Sequence, residues 1–433
     1  MRTSEVPTNM ETPKKIPSRR SFLTGSTAAS AAAFTIVKPE LVSGWAPSKL
    51  KVGLIGAGGR GRQAVIDAMR GDPAVELHSM GDIFEDKLEG NLNWLRQQAE
   101  KMGMANRIQV KPDTRFVGFE SYKKVLATDV DVVFLTAPPG WRAEHFEAAV
   151  KAGKHVFCEK PFGVDATSVR RCMEAARESE RRRLTVVSGA QRRSDPAYTE
   201  TVEKLKNGDY GQVLALYAYW VGTPVIQQAK GKDPRWGEFE WQHRNWYSNL
   251  WICGDQIVEQ HLHNVDVCNW IMGMHPVKVH ASGGAAWRPQ DEVHGNIYDH
   301  ISADFEYPNG VRMSSYCRQY PRGSYNRIAE IVACSKGRLN LNQTPGGPGY
   351  VNEHTKLYKS IRGDGPYINE AMEVAESTLT CIMGREAAYS GLEITWDMIM
   401  NSKQDLMPKQ GQWDYKATNP VPEFPVPGKY KFI

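Results

Sequence analysis

The sequence predicts two domains in succession: an α/β domain on a parallel, doubly wound sheet, then an α+β domain with a large, mostly antiparallel sheet. Three observations carry this expectation. The apolar run Lys51-Val52-Gly53-Leu54-Ile55 ends in Gly56-Ala57-Gly58-Gly59-Arg60-Gly61, and a helix-like stretch from Gln63 to Met69 follows. Short apolar runs then alternate with helical ones up to Ser188, the order of βαβ units. Beyond residue 190 longer alternating runs appear, two of them joined by Pro308-Asn309-Gly310, a hairpin signal.

The glycine turn has the order strand, G-x-G-x-x-G, helix, which is that of a dinucleotide-binding Rossmann unit. Gly56 allows the tight turn out of the strand, Gly58 lets a pyrophosphate approach the backbone, and Gly61 lets the helix pack on the sheet. Gly59 and Arg60 belong to the same loop, whose amides face the phosphates at a helix N-terminus. A second strand, Leu77–Met80, leads to Asp82, 21 positions after Gly61, where an acid meets the adenosine ribose hydroxyls. An acid there favours NAD over NADP, a preference that Arg60 and Arg62 weaken.

A helix or helical insertion is expected over Leu88–Met104, then a polar stretch from Val110 to Tyr122, a short helix at Ser121–Leu126 and a buried strand at Val130–Leu135. That strand runs into Thr136-Ala137-Pro138-Pro139-Gly140-Trp141-Arg142, placing a ligand-facing loop at its carboxyl end. Helix Ala143–Ala152, strand His155–Cys158 ending at Glu159-Lys160-Pro161, helix Ala166–Arg183 and strand Leu184–Ser188 complete the first domain. In the second, a helix is expected at Pro196–Asn207 and strands at Val213–Val221, Val277–Ser282, Ile297–Tyr307, Val311–Arg318 and Ile328–Ala333. The stretch from Gln343 to Tyr367 reads as a surface loop, and the Pro-rich tail after Pro408 as an extended segment laid over a surface or a partner subunit. The expected domains are residues 1–46 (signal and linker), 47–190 (nucleotide binding), 191–408 (substrate and oligomerisation) and 409–433 (tail).

Composition excludes several classes. With 433 residues, 41% hydrophobic, 24% charged and a net charge of +5, the chain has globular values and room for more than one core. Its basic clusters, Lys14–Arg20 and Arg181–Arg183, do not interleave with aromatics, which argues against nucleic-acid binding. The seven cysteines are widely spaced and form no C-x-x-C, against a disulfide framework or structural zinc site. The N-terminal Ser18-Arg19-Arg20-Ser21-Phe22-Leu23, followed by a small, mildly apolar run from Thr24 to Val37, looks like a twin-arginine (Tat) export signal. It is too short and too weakly apolar for a membrane span, so no transmembrane segment is expected in the mature form. The expected destination is the periplasm or another extracytoplasmic space, reached through the Tat machinery.

At Glu159-Lys160-Pro161 the reading becomes specific. The order of glycine turn, acid after strand two, Ala152-Gly153-Lys154-His155-Val156-Phe157-Cys158-Glu159-Lys160-Pro161 and a following sheet domain resembles the glucose–fructose oxidoreductase, inositol dehydrogenase and rhizopine-catabolism family (Gfo/Idh/MocA). The resemblance spans about residues 50–405. It implies that Glu159-Lys160-Pro161 lies beside a nicotinamide, with the Lys-Pro peptide cis and Lys160 on the substrate hydroxyl. The resemblance also implies that Gln191-Arg192-Arg193, just after the last strand of the first domain, lines the cleft, with at least one of the two arginines structural. Ala137, Pro138 and Trp141 are expected at the cofactor from their place at the strand's carboxyl end, in a loop that differs from that of many relatives, and the expected assembly is a dimer or tetramer.

Glu259 and His263, four apart in Gly254-Asp255-Gln256-Ile257-Val258-Glu259-Gln260-His261-Leu262-His263, are expected on one helix face. By resemblance His263 is the base and Glu259 stands in place of the family's usual Asp, with Lys160, Arg192, Glu259 and His263 at the substrate. A metal site from Glu259, His261 and His263 is the alternative, disfavoured because residues two apart on a helix diverge; the expected metal content is none. Arg142 could cover the cofactor, bind an anionic substrate or be a solvated helix-start residue. Trp236, Trp241, Trp246 and Trp251 could stack on sugar rings or pack a lid or subunit contact. His294, Asp299 and His300 stand on or before a second-domain strand. The expected function is NAD-dependent hydride transfer from a sugar, glycoside or polyol hydroxyl. The alternative, suggested by export, is a redox-neutral enzyme with permanently bound NAD: a glycosidase working by oxidation, elimination and reduction, or a two-sugar oxidoreductase.

Overall fold

The computed structural model describes residues 48–224, 231–342, 347–409 and 412–433. The signal-like segment and its twin arginines lie outside the described residues.

The first sheet follows the expected winding. Its elements are β1 (Leu50–Ile55), α1 (Gly59–Gly71), β2 (Val75–Asp82), α2 (Glu85–Lys101), β3 (Arg115–Val117), α3 (Ser121–Leu126), β4 (Val132–Leu135), α4 (Arg142–Lys151), β5 (His155–Cys158), α5 (Ala166–Arg181) and β6 (Val186–Ser188). The strands lie in the order β3-β2-β1-β4-β5-β6, all parallel. β1 and β4 are neighbours at the point where the winding reverses, so their carboxyl ends open the crevice such sheets use for ligands. β4 is buried on both faces, which explains its unbroken apolar run. Edge strand β3 was hidden in the stretch read as polar, since three half-exposed residues carry no alternation signal.

The second half continues with α6 (Pro196–Lys206), β7 (Val213–Gly222), α7 (Glu238–Arg244), α8 (Leu250–Cys253), α9 (Gln256–Glu259) and α10 (Leu262–Met272). β8 (Lys278–Gly284), β9 (His300–Glu306), β10 (Arg312–Gln319), β11 (Arg327–Cys334), β12 (Gly337–Leu341), α11 (Gly349–Arg362), α12 (Ala371–Ser390), β13 (Ile394–Thr395) and α13 (Trp396–Asn401) follow. The seven-stranded sheet has the order β12-β11-β7-β10-β9-β8-β13, and only β7 and β10 run parallel. The Asn-Gly turn closes the β9–β10 hairpin with Glu306 opposite Arg312, and Gly310 takes the positive φ of 80° that the turn requires.

Two expectations change. Residues 349–362 are not surface loop but helix α11, which packs on α1 and buries His354, Leu357 and Tyr358. The supposed single helix carrying Glu259 and His263 is two short ones: the amides of Glu259 and Gln260 complete α9, then the chain resets at Gln260–His261 before α10. The tail from residue 412 is laid along its own chain, its last carbonyl accepting from the Lys403 amide at 3.0 Å. All seven cysteines are unpaired and buried. Among the described residues no helix is long and apolar enough to cross a membrane.

Long buried arginines tie the layers together. Arg142 spans the end of the first sheet, donating to the carbonyls of Leu135, of Ala137 at 2.9 Å and of Pro161 at 3.3 Å. Arg385 of α12 reaches the carbonyls of Val164 (2.6 Å) and Gly254 (2.9 Å), one in each half.

At the β1–α1 turn a Cβ on Gly61 would stand 2.3 Å from the Gly56 carbonyl oxygen. Gly61→Ala is therefore expected to destabilise the protein by about 1–3 kcal/mol through overpacking, read as a lowered thermal midpoint. A midpoint equal to that of the parent protein would show that this turn has slack.

Candidate active site

The loops at the carboxyl ends of β1, β2, β4 and β5 face α9, α10 and α7 across one cavity of about 680 Å³. Its lining brings together Gly56, Gly58, Gly59 and Asp82 from the ends of β1 and β2, Ala137, Pro138 and Trp141 from the loop after β4, and Glu159, Lys160, Glu259 and His263. A Cβ on Gly58 or Gly59 would meet nothing within 4 Å, so both backbones border open space. Gly56 differs: its φ is +94°, and a Cβ would fall 2.3 Å from the Ala137 amide nitrogen. Gly61 lies behind the loop, not on the cavity.

Asp82 is fixed by two backbone donors, Ala57 N–H at 2.7 Å and Phe84 N–H at 2.9 Å. Burial pushes its carboxyl up to about 6, and those two hydrogen bonds only partly oppose the rise. Arg60, at the start of α1, bonds the Glu159 carboxylate and reaches Glu353 of α11 at 2.8 Å. The glycine loop is thereby locked to the Glu159-Lys160-Pro161 turn, whose Lys160–Pro161 peptide is cis.

Lys160 spans the two domains. Its ammonium donates to the Glu259 carbonyl and to Glu259 Oε1 at 2.9 Å, with both side chains only 9% exposed. Two of its three N–H bonds are thus used, leaving one for a ligand oxygen. The second Glu259 oxygen accepts from the Gln260 amide. Just upstream, Gly254 (φ 81°) and Asp255 (φ 78°) both take left-handed backbone. Asp255 is held there by Tyr298 N–H at 3.0 Å and the Tyr389 hydroxyl, so local strain positions α9.

His263 borders the cavity, its ring stacked on Trp220 at 5.9 Å and 25°, and its Nδ1 has no hydrogen-bond partner. Burial, then the nearby charges of Lys160 and Arg192, hold it well below the ordinary histidine range, so it is neutral. His261 turns the other way: its Nε2 lies 2.7 Å from the Ser315 hydroxyl, and burial lowers it to about 3. The break at residues 260–261 keeps the two histidines apart, and among the described residues no cluster of three or more His, Cys, Asp or Glu could hold a metal.

Arg192 requires a correction. It is 1% exposed and paired with Glu330 of β11, and it does not border the cavity. Arg193 grips Asp266 through two bonds of 2.7 and 2.9 Å. The cavity wall here is Gln191, which donates to the Tyr350 hydroxyl at 3.1 Å. Arg142 is neither solvated nor free for an anion, because its donors are engaged by carbonyls. Trp241 and Trp251 are core residues, whereas Trp246 borders the cavity; His300 pairs with Asp299 at 2.8 Å, away from it. Sequence reasoning missed Tyr350, Trp220 and Gln260 on the cavity wall. Tyr350 was legible: His354, Leu357, Tyr358 and Ile361 have helical apolar spacing.

An open glycine floor, an acid at the end of β2 and Lys160 on the wall of the same cavity fit an NAD molecule. This arrangement defines a nucleotide-dependent oxidoreductase. Comparisons agree: the family described as "Oxidoreductase family, NAD-binding Rossmann fold" (GFO_IDH_MocA) matches residues 50–188, and the GFO/IDH/MocA C-terminal domain matches residues 200–340. The chain belongs to the Gfo/Idh/MocA oxidoreductase family. It is 25% identical over 303 residues to the uncharacterized oxidoreductase YrbE of Bacillus subtilis, covering 69% of this chain and 75% of that one. It is 26% identical over 276 residues to inositol 2-dehydrogenase of Rhizobium meliloti, covering 61% and 74%. The fold is shared with scyllo-inositol dehydrogenase from Lactobacillus casei, a structure with bound NAD(H) and scyllo-inositol, at a TM-score of 0.62 and 17% identity, over 80% of this chain and 99% of that one.

Because ribose hydroxyls bond best to ionised Asp82, NAD binding should depress its pKa, so affinity rises with pH through about 6 and levels off above it. Calorimetric titration is expected to show NAD binding about tenfold weaker at pH 5 than at pH 7, a difference of about one pKa unit, and little further change to pH 8. Equal affinity at pH 5 and 7 would count against this contact.

Proposed function

We propose that the protein oxidises a secondary hydroxyl of a cyclic polyol or sugar, with Lys160, Glu259 and His263 as the reacting group. The observation that carries this reading is the Lys160–Glu259 pair beside an unpartnered, neutral His263 in the nucleotide cavity. Bound NAD would supply the hydride acceptor. Gly56, Gly58, Gly59 and Asp82 would hold its phosphates and ribose, with Arg60, Ala137, Pro138, Trp141 and Glu159 shaping the rest of the site. Lys160 would give its remaining N–H to the substrate oxygen and stabilise negative charge there. His263, neutral and therefore able to accept, would take the hydroxyl proton. Glu259 would hold Lys160 in place and accept from a neighbouring hydroxyl. The inositol dehydrogenases among the relatives support a polyol. No observation favours the glycosidase alternative.

Lys160→Met and His263→Asn are each expected to lower kcat about 10²–10⁴-fold, with NAD binding retained. Because His263 is held below its ordinary range, the acid limb of kcat/KM should lie well below pH 6.5, and rates between pH 6 and 8 should not fall on acidification through a histidine step. A limb at pH 6.5 that vanishes in His263→Asn would overturn this account of the base.

The reading includes export through Arg19-Arg20 and assembly as a dimer or tetramer, the latter supported by the stacked, partly exposed Tyr219 and Tyr316 on the second sheet. Cell fractionation of the full chain is expected to find it outside the cytoplasm and to find Arg19→Lys/Arg20→Lys inside; light scattering tests the assembly.

A further inference from the structure

The end of the cavity that holds Asp82 is not bounded by the Rossmann half alone. Its wall includes Ile83, Phe84 and Lys87 from the β2–α2 turn, and opposite them His243, Arg244 and Trp246, from beyond residue 230. Arg244, at the end of α7, makes two bonds to Asp86, of 3.0 and 2.9 Å, and its guanidinium lies 4.0 Å from the centre of the Phe84 ring. Its Nε is held by Glu240 at 2.9 Å, one helical turn earlier. The bond to Asp86 therefore joins α7 to the turn that carries the ribose-facing acid.

The C-terminal tail backs this contact. The Glu240 amide donates to the Tyr415 carbonyl, and the Phe239 amide to that of Ala417, both at 3.3 Å. Asn419 N–H donates to Glu238 at 2.9 Å. The approach is close enough that a Cβ on Gly237 would lie 2.3 Å from the Tyr415 carbonyl oxygen. Tyr415 then reaches over the same turn: its hydroxyl donates to the Ile83 carbonyl, and its ring packs 4.7 Å from Phe119 and 5.9 Å from Phe84. From the far side, Trp141 Nε1 donates to His243 at 3.0 Å. Residues immediately after Asp82 are thus gripped by two segments remote in sequence, of which α7 borders the cavity and the tail backs α7 and the turn.

We propose that α7 and tail residues 413–419 form a clasp, latched by Arg244 on Asp86 and Tyr415 on Ile83, that closes over the adenosine end of bound NAD and retains it between turnovers. This rests on the NAD-dependent reading above and deepens it: the dinucleotide is held less by its glycine loop than by a cover that must open before exchange. Arg244 itself is neutralised by Asp86 and Glu240, so the clasp acts as a mechanical cover and not as an added charge.

The test uses the full chain loaded with NADH and freed of excess by gel filtration. Release is followed by fluorescence after mixing with lactate dehydrogenase and pyruvate, which consume each NADH set free. Arg244→Gln and Tyr415→Phe are each expected to speed release about tenfold, and the double variant more. Asp86→Asn, altering a side chain 61% exposed, opens the same latch without disturbing the core and should match Arg244→Gln. A double variant that releases NADH within twofold of the parent protein, with an unchanged thermal midpoint, would overturn the clasp. A parent protein that binds no NADH at all would overturn the underlying reading and the clasp with it.

Discussion

The structure turns on one buried ion pair between domains, Lys160 on Glu259. Taking two charges out of water is costly, and removing one partner of such a pair strands the other at a penalty of about 3–5 kcal/mol. A fold keeps such a pair only if its geometry is held from both sides, and much of this molecule does so. Arg142 staples the Pro161 carbonyl to the end of β4, Arg60 ties Glu159 to α1 and α11, and Arg385 bridges the Val164 and Gly254 carbonyls. On the other side, left-handed Asp255 is locked by Tyr298 and Tyr389 so that α9 delivers Glu259. Several long polar side chains therefore serve the placement of this one pair.

The break between α9 and α10 follows from the same demand. In one continuous helix Glu259 and His263 would share a face, but the Glu259 carbonyl would be committed to the backbone amide at position 263. Here that amide bonds Gln260 instead, and the Glu259 carbonyl accepts from Lys160. The interruption thus gives Lys160 a second acceptor and turns His261 into the core beside Ser315, while leaving His263 on the cavity.

The parallel first sheet and the nucleotide end were legible because they rest on local signals: apolar runs of strand length, a glycine turn, an acid at the following strand's end. Lys160, Glu259 and His263 were legible as a set only through the family resemblance, since nothing local says that residues a hundred positions apart meet. Arg192 was misplaced for the converse reason. A motif position does not say which way a side chain turns, and the deciding partner, Glu330, stands on a strand 138 residues away. The packing of the tail against α7 was equally invisible, because a Pro-rich extended segment carries no periodicity to show what it covers.

The charges around His263 constrain any reaction in this cavity. Burial above all, and then the charges of Lys160 and Arg192, disfavour imidazolium. A proton accepted by His263 from a hydroxyl would sit in a field that expels it, so the same field that keeps the base ready also makes it a relay and not a store. Glu259 is the counter-charge nearest to Lys160, and both its oxygens are already engaged, by Lys160 and Gln260. In the proposed reaction a proton on His263 would therefore leave toward the cavity that its ring borders, not into the ion pair. In the proposed reaction, protonation of the site is then governed by how freely water reaches that cavity, which links the histidine at one end to whatever closes the other.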